Sequence, residues 1–147
     1  MSALIDRLLR REENREYTAY PDPLTKGPPW TIGEGHTGSE VHEGLVWTDA
    51  QIDAAKAADI LHATNDCLNH FPWFGLLDEV RRSVMISLAF QLGITRLLGF
   101  IKFLGAMRDQ RWNAAAGELR DSLVYRQARN RIEREARAIE TGETQWA

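Results

Sequence analysis

The chain has 147 residues, 44% of them hydrophobic, with a formal net charge of −3. That length bounds it to one domain with room for a real core, and the acidic balance argues against a general nucleic-acid binder. No stretch approaches the roughly 18 apolar residues of a membrane span. The start lacks a signal peptide's charged, apolar and small-residue regions, so a soluble product made in the cytoplasm, without stable membrane association, is expected. One cysteine, Cys67, excludes an internal disulfide and fits a reducing compartment.

Leu4, Ile5, Leu8 and Leu9 recur at three-and-four spacing, Ser2 can cap the start, and Asn14 can stop the turn, which predicts a first helix. Glu13 then sits in its last turn. There it faces the negative end of the helix dipole, which favours the protonated acid and suits a proton donor. Glu12 competes for that role. Helical geometry sets Glu12 within the apolar stripe and Glu13 to one side, and a carboxylate on a buried stripe needs a cation.

Pro21 and Pro23 push their neighbours out of the helical region, so Asp22 stands on stiff, extended backbone. Trp30 to His36 alternates like a strand, with Trp30, Ile32, Glu34 and His36 on one face and Thr31, Gly33 and Gly35 on the other. The Thr-Gly-Gly face has no bulk and would let a substrate approach the main chain; Thr31 is the hydroxyl on it. An ordinary hairpin with glycines at turns and bulges fits the same pattern. His36 could be a base, but a local structural hydrogen bond that holds the strand end is the favoured reading.

Thr37 to Gly44 reads as a loop, with a possible short third strand at Leu45-Val46. Thr48-Asp49-Ala50-Gln51 is a capping box opening a long, Ala-rich helix to about Asn69, and Pro72 breaks the chain after it. Beyond Leu76 helices dominate. The apolar run from Val80 to Leu92 predicts a central helix. Gly93 and Gly99 punctuate short ones, further helices fall at Phe100–Met107, Trp112–Leu119 and Asn130–Ile139, and Gly142 lies just past the end. Phe90 reads as core, whereas Gln91 breaks the apolar run. The series Arg126, Arg129, Arg131, Arg134 and Arg137, interleaved with Glu133 and Glu135, reads as a solvated helix face. His62, Cys67 and His70 supply too few ligands at irregular spacing, so no metal is expected, and Cys67 reads as a small buried hydrophobe. Charge is uneven: residues 1–75 carry 6 Lys and Arg against 12 Asp and Glu, and residues 76–147 carry 12 against 9.

Glu13, eight residues, Asp22, then Thr31-Ile32-Gly33-Glu34-Gly35-His36 resembles the phage lysozymes typified by the T-even phage enzyme. The likeness resumes at Arg81-Arg82-Ser83-Val84, Phe90-Gln91-Leu92-Gly93, Gly99-Phe100, Arg111-Trp112 and Asn130-Arg131. A longer turn between Asp22 and Thr31, Asn14 in place of a glycine, and a shorter segment from His36 to Thr48 depart from that pattern. The resemblance implies a muramidase (endolysin) with Glu13 as proton donor, Asp22 as its partner and Thr31 holding the water. It implies sugar contacts at Phe90 and Gln91, opposite the hairpin, and close approach at Gly33 and Gly35. Arg131 is the cation it nominates for Glu12, which leaves Glu12, His36 and Arg131 as structural support. Its substrate would be peptidoglycan, its release from the host cytoplasm would need a holin, and no cofactor is implied.

The expected fold is α+β and lysozyme-like. A small β-hairpin lobe at about 15–47 is joined by a helix at about 48–69 to a larger α-helical lobe at about 72–147, on which the first helix packs. The expected reaction is hydrolysis of the β-1,4 bond between N-acetylmuramic acid and N-acetylglucosamine by a monomer, with inversion. A lytic transglycosylase and a non-catalytic wall-binding module are the rivals. Asp22 and Thr31 count against the first, and the full set of Glu13, Asp22 and Thr31 against the second.

Overall fold

The structure is a computed structural model and describes residues 4–5, 7–8, 14–23 and 25–146. Its architecture is α+β, a three-stranded antiparallel sheet followed by helices. The chain divides into two compact units, residues 10–62 and residues 1–9 with 63–147.

In the first unit the strands are β1 (Glu16–Tyr20), β2 (Thr31–Gly33) and β3 (His36–Thr37), in the order β1-β2-β3. Trp30 to His36 is therefore not the single strand its alternation suggested. The chain turns at Glu34-Gly35, because Gly33 (φ +68°) and Gly35 (φ +83°) take left-handed angles that end an extended run. The third strand comes from His36-Thr37 rather than Leu45-Val46, and Val46 forms only an isolated bridge with Thr18.

Glu16 pairs with Gly33 and Tyr20 with Thr31, so Tyr17 to Ala19 face the single residue Ile32 and β1 bulges. The bulged residues bond on their other edge instead. Ala19 N–H donates to the Leu45 carbonyl (2.9 Å) and Trp47 N–H to the Tyr17 carbonyl (2.8 Å). Ala19, Ile32 and Val41 form the buried cluster of this unit, covered by Trp30, Leu45 and Trp47.

Helix α1 (Asp49–His70) begins as its capping box predicts. Thr48 N–H donates to Gln51 Oε1 (2.8 Å), and Gln51 N–H returns the bond to Thr48 Oγ1 (3.3 Å). Ile52, Lys56, Ile60, Ala63 and Cys67 form its buried stripe. Residues 49–62 of the helix belong to the unit that holds the sheet, and the remainder to the helical unit.

The helical unit contains α2 (Glu79–Leu92), α3 (Ile94–Leu98), α4 (Ile101–Arg108), α5 (Trp112–Arg120), α6 (Leu123–Gln127) and α7 (Arg129–Thr141). Asp78 caps α2 by accepting the Arg81 N–H (3.1 Å), and every residue from Ser83 to Ala89 is buried, as a central helix requires. Helix α7 packs chiefly on α5, and Ile132, Ala136 and Ile139 of α7 and Leu119 of α5 are all fully buried. Arg81 ties α2 to the end of α7, its Nε donating to the Ile139 carbonyl (2.7 Å) while its guanidinium lies 4.0 Å from the Trp112 ring centre. Leu4, Ile5 and Leu8 are buried, and Trp146 Nε1 donates to the Leu4 carbonyl (3.2 Å). Among the described residues no helix is long and apolar enough to cross a membrane.

Candidate active site

Of the residues the sequence nominates for catalysis, Asp22 lies just after β1 and Thr31 opens β2. Thr31 pairs directly with Tyr20, and Asp22 follows Tyr20 by two residues, so both stand at one end of the β1–β2 pair. Both are half-buried. The backbone of Asp22 is held on both sides. Its N–H donates to the Gly27 carbonyl (3.0 Å), and its own carbonyl accepts the Lys26 N–H (2.7 Å). Its Oδ1 accepts the Thr25 N–H (3.4 Å), while Thr25 Oγ1 donates to the Pro28 carbonyl (2.8 Å). The turn between Asp22 and Thr31 is thus a closed, internally bonded loop, and the carboxylate at its root has a fixed backbone. Glu12 and Glu13 lie outside the described residues.

A charged network underpins the strands, and the sequence reading did not single it out. Arg15 donates to Asp49 (2.7 Å), Asp53 (2.5 Å) and Glu34 (3.2 Å), and the Tyr17 hydroxyl donates to Asp49 (2.8 Å). Lys56 Nζ stands 3.6 Å from Glu34, and both side chains are buried. The bonds to Asp53 and Asp49 raise the Arg15 pKa, so the guanidinium is charged throughout the working range. The Tyr17 hydroxyl, and then Arg15, hold the Asp49 carboxyl below its ordinary value. Asp49 and Asp53 are one helical turn apart in the first turns of α1, a spacing that could have flagged them.

His36 bridges Asp59 on α1 through Nδ1 (2.6 Å) and Glu40 through Nε2 (2.6 Å), with the Trp47 ring 5.2 Å away. Burial works against its charged form, but the bonds to Glu40 and Asp59 outweigh it and raise its pKa. A ring with both nitrogens engaged by carboxylates is a tie between β3, the following loop and α1.

The bare face expected at Gly33 is closed. A Cβ built there would stand 3.2 Å from Cγ2 of Ile52, so it is α1 that approaches this glycine closely. Gly35 is half-buried in the turn.

In the helical unit, Phe90 and Gln91 are half-buried near the end of α2. Gln91 Nε2 donates to Ser87 Oγ (2.6 Å) and to Glu135 Oε1 (3.1 Å), and Ser87 Oγ donates to the same Glu135 oxygen (2.5 Å). Glu135 is fully buried, which corrects its assignment to a solvated arginine-rich face; it turns inward on α7 toward two polar groups of α2. Its neighbour Glu133 does face outward, paired with Arg120 (2.8 Å) and Arg137 (3.3 Å). A serine inside the run Ile86-Ser87-Leu88 was the sequence signal for the buried partner, since a core hydroxyl needs one. Arg131 is half-buried on α7. His62 and His70 are exposed, whereas Cys67 is fully buried and its thiol is pushed up to about 12 by burial.

The family model for phage lysozymes matches residues 10–131, which spans the hairpin, α1 and the helical unit as far as the start of α7. The chain belongs to the phage lysozyme family. It is also similar to the Probable T4-type lysozyme 1 of Dictyostelium discoideum, at 35% identity over 66 residues. That stretch is 45% of this chain and 39% of the relative's length. Within the matched stretch, Asp22 and Thr31 lie at the same hairpin end, on backbone fixed by the turn and by strand pairing.

Proposed function

We propose that this chain is a lysozyme that hydrolyses peptidoglycan at the β-1,4 bond between N-acetylmuramic acid and N-acetylglucosamine. Glu13 gives its proton to the leaving oxygen, and Asp22 with Thr31 holds the attacking water. Gly35, Phe90 and Gln91 contact the sugar chain, and Glu12, His36 and Arg131 support the fold; Gly33, packed against Ile52, is not among the sugar contacts. The observation that carries this reading is the Tyr20–Thr31 register, which gathers Asp22 and Thr31 at one hairpin end in a member of the phage lysozyme family.

Two carboxyl groups suffice for this chemistry. One is protonated to assist departure, and the other is ionised beside the nucleophile. A threonine hydroxyl beside the second carboxylate has a role when a water must be held, so the reaction proceeds by single displacement with inversion. No cofactor or metal enters the mechanism, and the enzyme acts as a monomer. In its biological setting it is an endolysin, made in the cytoplasm of a phage-infected host and released to the wall through a holin.

The test is clearing of Gram-negative cells stripped of their outer membrane. Wild type clears them, and Glu13→Gln, folded by circular dichroism, does not. Clearing by Glu13→Gln would overturn the assignment of the acid. Binding to walls without clearing by the wild type would make the chain a wall-binding module.

A further inference from the structure

Gln91 is the one polar side chain near the end of α2 nominated to meet the sugar, and its amide is not free to turn. Its nitrogen donates to Ser87 Oγ (2.6 Å) and to Glu135 Oε1 (3.1 Å), while Ser87 Oγ stands 2.5 Å from the same Glu135 oxygen. With Glu135 ionised, the donors and acceptors in this triangle permit one arrangement. A carboxylate only accepts, so the single Ser87 proton goes to Glu135. Ser87 Oγ must then accept from Gln91, and the atom of Gln91 that faces both partners must be its NH2. Turning the amide over would set its carbonyl oxygen against the Glu135 carboxylate and the Ser87 lone pairs. That arrangement has two acceptor–acceptor contacts at a fully buried carboxylate, where screening is weakest.

We infer that Glu135, through Ser87, is a positioning residue that locks the Gln91 side chain with its NH2 inward and its carbonyl oxygen outward. Gln91 therefore recognises the substrate as an acceptor. Its ligand is a donor on the glycan, an acetamido N–H or a sugar hydroxyl, and not a carbonyl or a carboxylate. The inference rests on the reading of Gln91 as a sugar contact and adds the polarity of that contact and its cause.

The experiment measures KM and kcat on soluble, uncross-linked peptidoglycan strands, together with the Gln91 side-chain NH2 signals in a 15N-correlated spectrum. It compares wild type, Glu135→Gln, Ser87→Ala and Gln91→Leu. In wild type the Gln91 pair is slow to exchange. Glu135→Gln offers Gln91 a donor as well as an acceptor, so the two amide orientations become comparable. The Gln91 signals then broaden or double and KM rises about fivefold, the equivalent of one hydrogen bond, with kcat nearly unchanged. Ser87→Ala, which leaves the carboxylate in place, gives the same change in smaller measure and serves if Glu135→Gln does not fold. If Gln91→Leu raises KM but neither Glu135→Gln nor Ser87→Ala moves KM or the Gln91 signals, the positioning role is refuted while the sugar contact stands. If Gln91→Leu leaves KM unchanged, Gln91 is not a sugar contact and both readings fall.

Discussion

Gly33→Ala separates two accounts of the glycine-bearing strand. If Gly33 is small so that a substrate can approach, the added methyl should cost activity and little stability. The structure argues the reverse. The residue is buried at φ +68°, and its added Cβ would meet Ile52 Cγ2 at 3.2 Å and Cγ1 at 3.4 Å. A left-handed backbone angle costs a non-glycine residue about 1–2 kcal/mol. Crowding a packed side chain costs at least about 1 kcal/mol more. The expected loss is therefore about 2–3 kcal/mol, and at about 2.1 cal/mol/K per residue of unfolding entropy that lowers Tm by about 6–10 °C. The two parts can be told apart by a double-mutant cycle followed by circular dichroism. Ile52→Ala removes both crowding atoms and leaves the backbone term, so in that background Gly33→Ala should cost only about 1–2 kcal/mol, a coupling of about 1 kcal/mol. Unchanged Tm with lost activity would refute the packing argument and restore Gly33 to the substrate path.

Other expectations concern the site and its supports. Glu13→Gln and Asp22→Asn should each lose nearly all wall-clearing activity while folding normally, and Thr31→Val should retain weak activity; near-normal turnover by Thr31→Val would mean that its hydroxyl holds no water. Glu12→Gln should instead lower Tm with activity retained below that temperature, and an inactive, fully stable Glu12→Gln would exchange the roles of the two glutamates. The raised pKa of His36 means that its bridge contributes fully below its unfolded value of about 6.5 and is lost as pH rises through the folded value. The lowered pKa of Glu40, set by its bond to His36, means that its contribution is present above the unfolded value and lost as pH falls through the folded one. The Tm advantage of wild type over His36→Gln should therefore peak at mildly acidic pH and shrink on the alkaline side, and a pH-independent difference would contradict the bridge. Thr48→Ala should cost about 1 kcal/mol, roughly 3 °C in Tm, by opening the capping box of α1.

What the sequence made legible was what short-range chemistry decides. The capping box at Thr48 and Gln51, the buried run from Ser83 to Ala89 in α2 and the left-handed stop at Gly142 all depend on residues a few positions apart, and all are found in the structure. Strand bounds were less legible. Trp30 to His36 alternates perfectly, yet two glycines at positive φ fold it into a turn, and alternation cannot distinguish a strand from a tight hairpin. The capping signal of the short helix α6, Ser122 accepting the Tyr125 N–H at 3.2 Å, lay in plain view but was outweighed by a segment too short to show periodicity. The least legible features join distant positions. Arg15 reaches Asp49 and Asp53, and Ser87 reaches Glu135, 48 residues away, so no local pattern could reveal that one glutamate of an arginine-rich helix is a core residue. At the site itself the motif spacing nominated Asp22 and Thr31, and only the strand register shows how they come to share one end of the hairpin.

The central claim, hydrolysis by single displacement with Asp22 and Thr31 holding the water, is tested most directly by proton NMR of the first product released from β-linked glycan strands. The claim predicts the α-anomer at the new reducing end before mutarotation mixes the two forms. A β-anomer would show a covalent intermediate on Asp22, and a 1,6-anhydro sugar with no new reducing end would show a transglycosylase; either result contradicts it.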